Sequence, residues 1–424
     1  LLGGRIADYV GRKRVFIIGL LGFAAASLLG GLATTSGLLF GARALQGVFA
    51  ALLAPAALAL ITVTFHDPKE RAKAFGVFGA ISGGGAAIGL LLGGVLTEFL
   101  SWRWCLAVNT PIAIVAALLA VRFVRESKAH GNTSYDIPGA ITVTGGLLAL
   151  VYGFTKAAPA GYDDSAHWTD PSTLAWFAAA AILLTAFFII ESRSTHPLLP
   201  MRVIKNSNRA GAYISALMVG AGMFAMFLFL GIYLQTILGY TPVQAGIAFL
   251  PFSLGVILAA GVAARLLPQF GPRPLMIPGL LAGSAGMLWL AQLEPQTNYF
   301  THILPAMVVM SVGMAFVFIP TATVALHAID QHDAGVGSAM INTSQQVGGS
   351  LGTALMNTVA VTATSAYLAT NGPESMPSAL TYGFTHGFYV GAGLLATAAI
   401  VVFFMIRIGP DAVDEQDAPG AHIG

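Results

Sequence analysis

The chain has 424 residues, 56% of them hydrophobic and only 9% charged, with 20 Lys and Arg set against 18 Asp and Glu. Soluble domains carry charge on roughly a quarter of their residues, so a water-soluble fold is excluded, and a formal net charge of +2 offers no basic surface for nucleic acid. The single cysteine, Cys105, excludes an intrachain disulfide and a thiolate-rich metal centre.

A helix needs about 20 apolar residues to cross ~30 Å of hydrocarbon, whereas barrel strands alternate over about ten. The apolar runs here are of helix length, which predicts an all-α integral membrane protein. Residues 1–4 read as the end of a span, and a charged cluster of Arg5, Asp8, Arg12, Lys13 and Arg14 follows. Twelve complete spans are then predicted near 15–33, 38–64, 74–97, 104–123, 137–155, 173–190, 210–238, 243–264, 275–293, 302–326, 335–364 and 384–406. No basic segment, short apolar core and small-residue cleavage site open the chain, so no signal peptide is read. The chain is expected to be truncated at its N-terminus.

Short cytoplasmic loops are enriched in Lys and Arg. If the opening cluster is cytoplasmic, 17 basic residues fall on that side and two, Arg103 and Lys156, on the other, with Arg43 inside a span. This orientation places the C-terminus in the cytoplasm. The sequence also repeats at long range: Gly4, Asp8, Gly11 and Arg12 close one helix, and Gly261, Arg265, Gly271 and Arg273 close another. Two related halves are implied, as in transporters whose site lies between repeats. The expected divisions are 1–123 for an N-terminal half, 124–209 for a linker with two extra spans, 210–407 for a C-terminal half and 408–424 for a cytoplasmic tail.

Apart from Arg122, the last residue but one of the span at 104–123, Arg43 is the only Asp, Glu, Lys or Arg within the spans as drawn. An Arg in hydrocarbon costs about 2.5–3.5 kcal/mol on insertion scales and usually faces a cavity or partner, though one near a span end can snorkel instead. Gln46 lies one turn away. Gly85, Gly89 and Gly93 recur every four residues and form one smooth stripe, suited either to static packing or to a helix that slides during transport. Gly11 suits a tight turn, and Arg12 and Lys13 suit a cytoplasmic face, whether as topology signals or as a working loop. Met223, Met226, Phe227 and Tyr233, with Met314 and Phe318, are candidates for a varied apolar substrate cavity; helix packing would use the same residue types. No Ser/His/Asp, Cys/His, phosphate-loop or metal-ligand constellation appears, so no catalytic or metal residue is assigned and no enzyme is expected.

Taken together, these motifs resemble the fourteen-span drug:proton antiporters (EmrB/QacA-like) of the major facilitator superfamily. Gly4, Asp8, Gly11, Arg12 and Lys13 match that superfamily's loop between the second and third helices, with Tyr9 at a usually basic position. "RALQGVFAALLAP" resembles the fourth-helix motif through Arg43, Gln46 and Gly47. "GVFGAISGGGAAIGLLLGG" resembles the antiporter motif of the fifth helix through Gly76, Gly85, Gly89, Gly93 and Gly94. "SWRWCLAVNTP", "ESRSTHPLLP" and "YLQTILGYTPVQAGIAFLP" resemble the fourteen-span branch, and the matches run from residue 4 to about 352. The antiporter motif usually has Pro after its central glycine, where this chain has Leu90; Pro would kink the helix.

The resemblance implies the major facilitator fold, with two six-helix halves plus two extra helices, and the first helix and most of the second missing. It implies export of amphipathic or drug-like small molecules from a bacterial cytoplasmic membrane, driven by proton influx, with alternating access. The proton gradient stands in place of any cofactor. Arg43 and Gln46 would serve proton coupling, the opening loop would be a cytoplasmic gate, and the proton acceptor would lie on the missing first helix. The alternatives are a facilitator or a proton-coupled uptake symporter on the same fold, which Leu90 keeps open, and a fragment that does not transport. The expected partners are a small-molecule substrate and the lipid bilayer, not nucleic acid; the sequence does not specify whether a periplasmic adaptor assembles with it.

Overall fold

The computed structural model describes residues 2–65, 70, 74, 85, 88–128, 136–159, 166–194, 197–327, 329 and 334–410, and among them all regular structure is helical. The helices are α1 (Leu2–Val10), α2 (Arg12–Gly31), α3 (Ser36–Thr64), α4 (Ile88–Phe99), α5 (Trp102–Ala107), α6 (Asn109–Phe123), α7 (Ile137–Ala157) and α8 (Pro171–Arg193). There follow α9 (Met201–Lys205), α10 (Ser207–Ile232), α11 (Pro242–Phe270), α12 (Pro272–Leu290), α13 (Leu304–Leu326), α14 (Ala334–Asn371) and α15 (Met376–Met405). Among the described residues, nine helical segments are long and apolar enough to cross a membrane. Most of the segment predicted at 74–97, including Gly76, lies outside the described residues.

Helix ends depart from the predicted spans wherever the terminal turns are small or polar. The opening helix runs on to Val10 instead of stopping at residue 4, and α15 begins at Met376, well before the predicted 384. The same effect corrects the expectation that, Arg122 apart, Arg43 is the only charge within a span. Glu191 sits in the last turn of α8, 2% exposed, and Arg209 sits in the first turn of α10, 7% exposed.

The chain divides into two compact units. The first comprises Leu1–Ile137, Thr195–Leu199 and Thr241–Phe249. Its core is built from small residues: Leu20 and Ala24 of α2 pack with Ala113 and Ala117 of α6, and Ala7 of α1 packs with Val15 and Ala56. Between helices in lipid there is little hydrophobic drive, so close van der Waals approach and interhelical hydrogen bonds hold the bundle. Thr110 Oγ1 supplies one such bond, donating to the Ala24 carbonyl at 3.2 Å. Side chains close the helix starts: Thr35 accepts from the Leu38 amide at 3.2 Å and Ser101 from the Arg103 amide at 3.3 Å.

The second unit comprises Pro138–Ser194, Pro200–Tyr240 and Leu250–Gly424. Helix α10 is its most buried element, with Met226, Phe229 and Leu230 at most 1% exposed. It meets α14 at backbone distance: a Cβ on Gly348 would overlap the Leu217 carbonyl, and one on Gly352 would overlap Ala221. Phe229 stacks on Phe384 with centroids 5.7 Å apart and meets Phe388 edge-on at 6.2 Å, which seats α15. A π-helical turn, Tyr233–Ile237, ends α10.

The start of α10 is a polar joint. Asn206 Oδ1 accepts the amides of Asn208 and Arg209, capping the helix, while Asn208 Oδ1 accepts the Arg407 amide at 2.6 Å. The Arg209 guanidinium donates to three carbonyls: Val203 at 3.0 Å, Arg202 at 2.8 Å and His327, at the end of α13, at 3.3 Å. A buried charge demands such partners.

Candidate functional site

Arg43 lies seven residues into α3, about 10 Å along the axis at 1.5 Å per residue. Its guanidinium Nη1 donates to Gln46 Oε1, and Gln46 Nε2 donates in turn to Ser27 Oγ of α2 at 2.5 Å. Gln46 and Ser27 are 5% and 1% exposed, while Arg43 itself stays open to the surroundings. The i, i+3 spacing puts Arg43 and Gln46 on one face, and the amide passes the polarity inward because it accepts at one end and donates at the other. The guanidinium end of this chain presents a positive charge, and the amide and hydroxyl behind it are neutral. The sequence indicated Arg43 and Gln46; Ser27, a lone hydroxyl in an apolar helix, passed unnoticed.

The opening loop is organised by a residue the sequence reading missed. Gly11 turns the chain between α1 and α2 at φ +127°, a left-handed conformation that L side chains rarely adopt. The amides exposed at the start of α2 are then met from far along the chain: Glu126 accepts from Lys13 N at 3.1 Å and Arg14 N at 3.2 Å, and its carboxylate lies 3.8 Å from Arg14 Nε. A carboxylate at a helix N-terminus satisfies orphan donors and opposes the helix dipole. Arg12 N donates to the Ser127 carbonyl at 3.0 Å, and Lys13 Nζ donates to the Val121 carbonyl at 2.8 Å. Lys13 thus fastens the loop to the end of α6. Gly4 packs near Pro55 of α3. Asp8 is helical, but its side chain lies outside the described residues, as does that of Arg5.

In the glycine-rich helix the close contact among the described residues is made by Gly94, beside the predicted stripe. A Cβ on Gly85, Gly89 or Gly93 would meet no described atom within 4 Å, whereas one on Gly94 would sit 2.5 Å from the Pro242 carbonyl oxygen. A Cβ on Gly246 would lie 2.9 Å from the Leu90 carbonyl, and Glu98 Oε2 accepts the Val243 amide at 2.9 Å. Leu90, Gly94 and Glu98 follow at intervals of four, so this is one face of α4 laid against the first turns of α11.

The predicted substrate-cavity residues separate. Met226, Tyr233 and Met314 are completely buried and Met223 is 6% exposed, so they pack inside the second unit and line no open surface. The Tyr233 hydroxyl donates to the Glu294 carbonyl at 2.5 Å, tying the turn after α10 to the loop after α12. Phe227 meets Phe252 edge-on at 5.3 Å, and Phe227 and Phe318 retain partial exposure.

A sequence profile described as Major Facilitator Superfamily matches residues 1–353. The chain belongs to the Major Facilitator Superfamily. Within that superfamily it is 46% identical over 422 residues to the puromycin resistance protein pur8 of Streptomyces alboniger, covering 98% of this chain and 82% of the relative. It is 36% identical over 370 residues to a cephamycin export protein of Amycolatopsis lactamdurans, covering 86% and 75%. A solved bacterial homolog of the human lysosomal transporter Spinster, in an inward-facing conformation, shares the fold with a TM-score of 0.62 at 15% identity, covering 99% of this chain and 88% of that one. The chain is therefore an all-α, multi-pass membrane transporter of bacterial type, with the superfamily's fold.

Proposed function

We propose that this chain exports small amphipathic, drug-like molecules from the bacterial cytoplasm in exchange for protons, as one of the fourteen-span drug:proton antiporters. Export is supported by relatives named for resistance to or export of puromycin, cephamycin, tetracenomycin C and lincomycin. The Arg43–Gln46–Ser27 chain is the observation that carries the coupling. It holds a fixed positive charge whose field favours the ionised form of any carboxyl nearby and disfavours a bound cation. A proton and a cationic substrate that share such a carboxyl exclude one another, and the positive charge beside it sets how readily either is released. The protein alternates access to the two sides of the membrane, with its C-terminus in the cytoplasm, and draws its energy from the proton gradient.

The test is proton-driven efflux of a fluorescent cation from vesicles. Arg43→Ala is expected to abolish uphill efflux while leaving downhill leak, and unchanged uphill efflux would remove Arg43 from the mechanism. A facilitator or an uptake symporter is the second reading, favoured by Leu90: α4 is helical from Ile88 to Phe99 with no proline to kink it. Counterflow of labelled substrate that ignores a pH gradient would decide for the facilitator.

A further inference from the structure

Helix α14 carries Gln346, Ser350, Thr353 and Asn357 at intervals of four, three and four residues, which places them along one face. Gln346, Ser350 and Asn357 are exposed and Thr353 is partly so. Beside the last three lies a shallow, open groove of about 450 Å³, flanked by Val151 of α7 and by Phe224 of α10. That volume falls within the usual range for a small-molecule site, roughly 300–1,000 Å³. The Phe224 ring lies over Gly349, where a Cβ would come within 2.8 Å of it, and Phe224 stays 50% exposed.

Further along the same helix the short hydroxyl side chains are all satisfied. Thr358 donates to the Phe154 carbonyl of α7 at 2.8 Å and to Ala354 at 2.9 Å; Thr362, Thr364, Ser365 and Thr370 each bond the carbonyl four residues back. This is the ordinary way for a helix in lipid to silence a hydroxyl. Ser350, Thr353 and Asn357 do not follow it: among the described residues none has a hydrogen-bond partner. Facing hydrocarbon alone, unpaired amides and hydroxyls are costly. No Asp, Glu, Lys, Arg or His lines the groove. Its chemistry is therefore neutral donors and acceptors on one wall, with an aromatic ring and an aliphatic side chain on the others.

We infer that this groove binds the uncharged hydroxyl- or amide-bearing part of an amphipathic small molecule, with the molecule's apolar body against Phe224 and Val151. As a substrate subsite it rests on the export reading above; as a binding site it does not. It accepts neutral polar groups and leaves a cation unpaired.

Cys105 is the only cysteine, so replacing it with Ala gives a background in which Ser350→Cys, and separately Asn357→Cys, report the groove by maleimide labelling. The protein is reconstituted in phosphatidylcholine, whose headgroup donates no hydrogen bond. Chloramphenicol, a neutral amide and alcohol, is expected to slow labelling about ten-fold at ten times its Kd, while ethidium, a cation, has no effect. Leu258→Cys, on the exposed face of α11, should be indifferent to both. In the transport assay, Thr353→Val with Asn357→Leu is expected to raise the KM for chloramphenicol about ten-fold, the equivalent of one lost hydrogen bond, with ethidium efflux unchanged. Equal protection by both probes, protection by neither, or cysteines that do not label overturns the site. Protection by diolein but not by chloramphenicol assigns the groove to membrane lipid and overturns the small-molecule site. Protection by chloramphenicol without transport of either probe leaves the binding site standing and defeats the export reading.

Discussion

Glu126 and Lys13 are 113 positions apart in sequence and joined by a hydrogen bond of 3.1 Å, from the Lys13 amide to the Glu126 carboxylate. With the second bond from Arg14 at 3.2 Å, this one side chain serves as the N-terminal cap of α2. Glu126→Ala should lower stability by about 1–2 kcal/mol, the usual value of a lost cap. Arg14→Ala removes only an exposed ion pair and should change it by less than about 0.5 kcal/mol. Thermal unfolding in detergent separates the two, and equal losses would show that the ion pair, not the cap, holds the loop.

Gly11 is coupled to the same contact. Alanine there is strained at φ +127°, and its Cβ would come within 2.8 Å of the Glu126 carboxylate. Gly11→Ala should cost about 1–3 kcal/mol. Combined with Glu126→Ala, the loss should fall short of the sum, because the clash is gone and only the backbone strain remains. Strict additivity in a double-mutant cycle would place the two residues out of contact.

Gly348→Ala puts a Cβ into the Leu217 carbonyl and forces α10 away from α14, whereas Gly393 of α15 has no described atom within 4 Å of its own Cβ position. The first substitution should cost more than about 2 kcal/mol through overpacking, and the second should be near neutral or slightly stabilising. Melting temperatures of the two variants, compared at equal expression, check this.

The phase of the glycine helix is equally open to test. Gly94→Ala should destabilise by about 1–3 kcal/mol, since Pro242 cannot yield without moving the start of α11, while Gly89→Ala should be tolerated. If Gly89→Ala proves the more damaging of the two, the seam runs along the original stripe.

What was legible in the sequence was the material of the fold, because hydropathy sums over some twenty residues and forgives local error. What was not legible depended on distant partners. Nothing near Glu126 announces that it caps a helix begun at Arg12, and Ser27 looks like any small residue until Gln46 is laid beside it. Helix ends were misplaced where composition turns polar, so Glu191 fell just past a span that in fact contains it. The Met and aromatic residues of α10 and α13 illustrate the limit of residue type: Met226 and Met314 are suited to a pliable cavity, yet both sit sealed in the bundle. The Ser, Thr and Asn residues of α14 were not singled out in the sequence, because which of their side chains are already satisfied depends on coordinates.

Arg209 shows what a tally of charges conceals. In the sequence it is one more basic residue marking an inner loop, interchangeable with any Lys. In the fold its planar fork reaches carbonyls on α9 and at the end of α13 together, so its charge is spent on the protein interior and is withheld from lipid headgroups. Arg209→Lys preserves every count of positive residues and every argument about orientation. It nevertheless leaves a compact ammonium where a wide, flat donor bridged two helices, and the joint between them is what such a change removes.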